Sequence, residues 1–179
     1  KTIHNRSESL IKFVSDFRNL TRIPIPKLEK IEVRILIDHI INLMKYEMEK
    51  ESISLQTHIQ PDDLAICADK EQIEQVLINL VKNAIHALGT EDEKSEGKIL
   101  DIKAFMSEDG RTHISVKDNG SGIEEEALHK IFIPFFTTKK SGSGIGLSLS
   151  KQIMRKHNGA ISVHSEINKG TEFVLKFKG

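Results

Sequence analysis

Apolar positions along this chain follow two periods, and the changes of period mark its elements. Ile35, Leu36, Ile40, Leu43, Met44 and Met48 recur at helical spacing, which predicts a helix of about four turns. Ile53, Leu55, Thr57 and Ile59 alternate with Ser54, Gln56 and His58, so 53–59 reads as a half-buried strand. Lys30–Val33 and residues 64–68 read as further strands, the second after a Pro61-Asp62-Asp63 turn. Asp69 is a good N-cap, and beyond it Ile73, Val76, Leu77, Leu80, Val81, Ala84 and Leu88 form one stripe of a long helix ending at Gly89. The charged run 91–97 reads as a solvated loop. Residues 98–106 and 111–117 form a hairpin around Glu108-Asp109-Gly110. A short helix near 124–130, a helix over 145–157 and strands at 160–165 and 171–177 complete the order. Interleaved helices and hairpins predict an α+β fold: a two-layer sandwich with one mixed, mostly antiparallel sheet and helices on one face.

The first twenty residues stand apart. Ile3, Leu10 and Phe17 are seven apart, with Phe13 and Leu20 on the intervening seam, a heptad stripe that suggests a helix–helix interface. One amphipathic helix packed on its own domain is the plainer alternative. Pro24 and Pro26 end the helix and stiffen the linker after it. The expected organisation is a helix over 1–22, a linker over 23–30 and a domain over 31–179.

Composition narrows the class. The 179 residues are 38% hydrophobic and 29% charged, an ordinary globular balance. Lys plus Arg and Asp plus Glu both number 26, so no general basic field points to nucleic acid. No apolar run approaches the ~20 residues that span a bilayer. No membrane contact is therefore expected of this chain; its expected location is cytoplasmic, with a membrane anchor open for the full-length protein. The chain opens on Lys1, so we expect a piece of a longer protein. Cys67, the single cysteine, excludes an internal disulfide and reads as a buried core residue within Leu64–Ala68. The eight histidines show no paired metal-ligand spacing, and a zinc site is not expected.

Four short segments carry candidate chemistry. On the long helix, Asn79 and Asn83 are four apart and share a face opposite the apolar stripe. Two amides aimed together can hold a hydrated cation, and Asn83 offers an oxygen to Mg²⁺. Alone, the pair reads as two exposed residues of an amphipathic helix. Asp118-Asn-Gly120-Ser-Gly122 follows a strand, and Asp118 could accept from the exocyclic amine of adenine, where guanine presents a carbonyl. Alone, it is common turn sequence. Phe132-Ile-Pro-Phe-Phe136 concentrates aromatics in a chain with only 5% of them, and after Thr137 and Thr138 comes Lys139, which could reach a terminal phosphate. Gly142-Ser143-Gly144-Ile145-Gly146-Leu147 opens a helix, where backbone N–H groups bind phosphate well. It lacks the Gly-Lys-Ser/Thr ending of a P-loop.

In this order, the four segments resemble the ATP-binding domain of sensor histidine kinases. The wider family also holds type II topoisomerases, mismatch-repair clamps and heat-shock chaperones. The likeness covers residues 28–179, and the short lid of 137–143 is similar to that of nitrogen-regulatory-type kinases. It implies a Bergerat-type fold preceded by a helix from a dimerisation hairpin, with ATP and Mg²⁺ as cofactors. It implies Asn83 as the metal ligand, with Asn79 and Lys139 acting on the transferred phosphoryl group. It places Ala87, Ile123, Thr137, Thr138, Ser143, Ile145 and Leu147 around the nucleotide. Asp118 would read adenine, helped by Thr171 after Gly170. His86 departs from the basic residue common at its position.

Within that family, the residue four before the metal ligand discriminates. Clamp-type ATPases place Glu there as general base; Asn79 cannot take a proton, which favours phosphoryl transfer over hydrolysis. The chain holds no His-Glu/Asp-x-x-x-Pro pattern, and residues 1–22 resemble the second helix of an acceptor hairpin. The expectation is thus a kinase core that phosphorylates a histidine outside this chain, for relay to the receiver domain of a response regulator. The full-length protein would dimerise through its hairpin. The alternatives are a nucleotide-binding regulatory module with little turnover, and a clamp-type ATPase or serine kinase.

Overall fold

The computed structural model describes residues 22–89, 97–139 and 142–178. The heptad stripe of 1–20 and most of the charged run 91–97 lie outside the described residues. Strand β1 (Glu29–Glu32) leads directly into helix α1 (Val33–Lys50), which buries Val33, Leu36, Ile37, Ile40, Met44 and Met48 at the expected spacing. After β2 (Ile53–Gln60) and β3 (Ala65–Ala68) comes α2 (Lys70–Gly89), the long predicted helix. Its cap is as expected: Gln72 N donates to Asp69 Oδ1 at 3.0 Å. Strands β4 (Lys98–Met106) and β5 (Thr112–Asp118) form the hairpin. The last elements are α3 (Glu125–Leu128), α4 (Gly146–Lys156), β6 (Ala160–Glu166) and β7 (Gly170–Phe177).

Five strands form one mixed sheet in the order β2-β4-β5-β7-β6. β2 and β4 are parallel, and every other pairing is antiparallel. One face of the sheet carries Leu100, Ile102, Ala104, Ile114, Val116, Phe173 and Leu175, all buried. Helix α2 lies on it against β4, β5 and β7, α1 covers β2 and α4 covers β6. The result is the two-layer α+β sandwich expected. One finding was not foreseen: β1 and β3 leave the main sheet and pair antiparallel with each other, Ile31 opposite Ile66. A second concerns Cys67, which is exposed. It alternates with buried Ile66 and Ala68, and an all-apolar run hides that alternation. Among the described residues, no helix is long and apolar enough to cross a membrane.

The linker is tied down. Lys27 N donates to Asp69 Oδ2 at 2.8 Å, Gln72 Nε2 to Pro24 O at 3.4 Å, and Lys156 Nζ to Ile23 O. The ring of His157 joins the same knot, accepting from Asp69 N at 3.0 Å through Nε2 and bonding Ile153 O through Nδ1 at 2.8 Å.

Candidate functional site

Helix α2, the residues after β5, α3, residues 136–139, the start of α4 and the start of β7 line a cavity of about 650 Å³. That size suits a nucleotide-sized ligand. All four sequence segments reach its wall. Asn79, Asn83, His86 and Ala87 come from α2; Gly122 and Ile123 follow β5. Thr137, Thr138 and Lys139 lead to Gly142, Ser143, Gly144, Gly146 and Leu147, and Thr171 closes the sheet side. Three expected site residues, Asp118, Gly120 and Ile145, are buried and are not among those that line the cavity. Asp118 is 4% exposed, and its Oδ1 accepts from Gly120 N at 2.9 Å.

Five lining residues were not among the expected site residues: Ser121 and Phe136, which lie inside two of the four segments, and Ala127, Ile131 and Phe173, which lie outside all of them. Two were within reach of the periodicity. Phe173 lies two after Thr171 on the same strand face, and Ile131 lies four after Ala127. They supply an apolar floor of the kind that a flat base stacks on.

Thr171 pairs with Asp118 across the β5–β7 ladder. Its hydroxyl lies 2.9 Å from Ser165 Oγ, which also donates to Gly170 O at 3.0 Å and accepts from Ile123 N at 2.8 Å. A carbonyl can only accept, so the Ser165 proton goes to Gly170, and Thr171 is the donor to Ser165. Thr171 Oγ1 thus keeps an acceptor lone pair for the cavity.

Elsewhere on the lining, Lys139 Nζ donates to Asn83 Oδ1 at 2.7 Å. Burial pushes the Lys139 ammonium below its ordinary pKa, and the Asp118 charge partly opposes this. Burial, with the Lys139 charge beside it, likewise lowers the His86 pKa from its ordinary 6.5. Both effects favour the neutral ring.

Gly146 starts α4 against Asn79. A Cβ there would stand 2.1 Å from Asn79 Oδ1, so any larger residue would displace that amide. The residues suit both implied ligands. Asn83 turns an amide oxygen toward a cation already, and Mg²⁺ takes oxygen ligands. The α4 N-terminus and its glycines offer backbone N–H groups to phosphate.

A family model described as "Histidine kinase-, DNA gyrase B-, and HSP90-like ATPase" matches residues 68–179. The chain belongs to this family. Relatives within this ATPase family include the sensor histidine kinase ZraS of Klebsiella oxytoca, 34% identical over 169 residues, or 94% of this chain and 35% of that one. The chain thus spans about a third of that relative's length. The nucleotide-free catalytic domain of histidine kinase ThkA superposes with a TM-score of 0.73 at 32% identity, covering 84% of this chain and 97% of that one. ThkA in complex with response regulator protein TrrA gives 0.78 at 29% identity, over 98% and 49% of the two chains.

Proposed function

We propose that this chain is the catalytic core of a sensor histidine kinase. It binds Mg-ATP and passes the γ-phosphoryl group to a histidine on a dimerisation helix, for relay to a response regulator. The observation that carries this reading is the single cavity onto which all four segments converge. Asp118 accepts from the adenine amine, with the Thr171 hydroxyl beside it. The glycines of 142–146 and the α4 N-terminus hold the phosphates. Asn83 would hold the Mg²⁺, which neutralises phosphate charge when bound. Lys139 brings a positive charge to the γ-phosphate, and Asn79 orients groups there without taking a proton. The work is positioning and charge neutralisation, which suffices for transfer. Residues 1–22 belong to the dimerisation hairpin in this reading, and the domain acts in the cytoplasm.

The test is transfer in trans. Radiolabelled γ-phosphate supplied as Mg-ATP is expected on the histidine of an acceptor hairpin from the full-length protein. Multiple-turnover release of free phosphate with no labelled histidine would contradict it.

A further inference from the structure

The catalytic reading leaves open what keeps the Asn79 amide in one orientation. An amide can flip end for end, and the two orientations present opposite chemistry to a ligand. Ser150 stands on α4 one turn beyond Gly146 and is 2% exposed. Its Oγ donates to Gly146 O at 2.9 Å. That is the usual back-bond of a helical serine to the fourth carbonyl before it. The carbonyl can only accept, so the one hydroxyl proton is spent there. The Asn79 atom 3.1 Å from Ser150 Oγ must then be a donor, and it is Nδ2. The amide oxygen is left on the Gly146 side, where a Cβ would meet it at 2.1 Å.

We propose that Ser150 is a positioning residue: by accepting from Asn79 Nδ2 it fixes the amide with Oδ1, an acceptor, turned toward Gly146 at the start of α4. This rests on the nucleotide-binding reading above and goes one layer behind it. Asn79 touches the ligand; Ser150 reaches it only through Asn79. A flipped amide would present N–H groups to the α4 N-terminus, itself a row of N–H donors. Such an amide could no longer accept from a donor at the γ-phosphate end. Ser150 therefore links the phosphate helix to the amide helix by polarity as well as by packing.

A set of variants tests this: the parent chain, Ser150→Ala, Ser150→Thr, Asn79→Ala and the double variant Asn79→Ala/Ser150→Ala. Each is titrated calorimetrically with a non-hydrolysable ATP analogue, with and without Mg²⁺, and its thermal midpoint is recorded. Ser150→Ala is expected to keep its metal-free affinity within about twofold and lose ~fivefold of the gain that Mg²⁺ brings, as for one neutral hydrogen bond. Ser150→Thr, which keeps the oxygen, restores that gain. In the Asn79→Ala background, Ser150→Ala changes affinity by no more than about twofold, since coupled residues are not additive. Full Mg²⁺ gain in Ser150→Ala, or an undiminished Ser150→Ala effect without Asn79, would overturn the proposal. Failure of the parent chain to bind the analogue would instead overturn the reading beneath it.

Discussion

Lys139 Nζ rests 2.7 Å from Asn83 Oδ1, so the first part of the lid segment is pinned to the long helix by a cation on an amide oxygen. That oxygen is the one proposed to hold Mg²⁺. Two cations crowd one neutral acceptor, so Lys139 must turn away when the metal arrives with nucleotide. The γ-phosphate is where its charge is then best placed. Lys139→Met is expected to weaken binding of an ATP analogue ~tenfold, the scale of one hydrogen bond to a charged group. ADP binding, which lacks the γ-phosphate, should change by less than about threefold. Parallel titrations with the two nucleotides check this.

His86 gives the site a pH dependence of definite sign. Burial lowers its pKa from 6.5 in the free chain, with Lys139 adding to the effect. Phosphates nearby favour the charged ring and raise the pKa in the complex. The complex therefore binds more protons than the free chain between the two values, and affinity rises as pH falls through that interval. ATP-analogue affinity should increase between pH 7.5 and pH 6, by a few-fold at most for a partly solvated ring. His86→Gln should flatten the profile.

Substitutions at Gly146 and at Gly170 should fail in different ways. The three heavy atoms nearest a Cβ at Gly146 all belong to the Asn79 amide, with Oδ1 at 2.1 Å, and Gly146 has no positive φ. Gly146→Ala should keep the fold, with a thermal midpoint within a few degrees, while displacing Asn79 and costing ~tenfold or more in transfer. Gly170 has φ +108°, and a Cβ there would lie 1.9 Å from Asp118 O. Gly170→Ala should cost ~2 kcal/mol or more of stability because backbone must move. Urea unfolding of both variants, beside phosphoryl transfer by the first, separates the outcomes.

Much of this was legible in the sequence because local periodicity and tertiary demand agree. The α2 stripe from Ile73 to Leu88 is buried as its spacing requires. The Asn79 and Asn83 pair faces the cavity for the same reason. What escaped was non-local. Nothing in Ile31 or Ile66 marks them as partners in a separate sheet, because pairing depends on a chain reversal around α1 and β2. The parallel β2–β4 pairing likewise spans the whole of α2. Ser150 and His157 carry no motif; their roles come from elements that meet only in the fold.

The linker anchor offers a test of stability apart from chemistry. Burial raises the Asp69 pKa, but N–H donors from Lys27 and Gln72 outweigh it, and the net shift is downward. A carboxylate with a depressed folded pKa stabilises above its unfolded value and loses that contribution as pH falls through the folded one. Asp69→Ala should cost ~1–2 kcal/mol at pH 7, the usual range for an N-cap. The difference between the two proteins should shrink as acid protonates the carboxyl. Urea unfolding at pH 7 and below pH 3.8, the ordinary value for Asp, measures it.

The most direct measurement is calorimetric titration of the chain and of Asp118→Asn with non-hydrolysable ATP and GTP analogues in Mg²⁺. The expected result is binding by the parent that favours adenine over guanine, with the preference lost in Asp118→Asn. Absence of binding, or equal affinity for both bases in the parent, would contradict the assignment of this cavity as an ATP site.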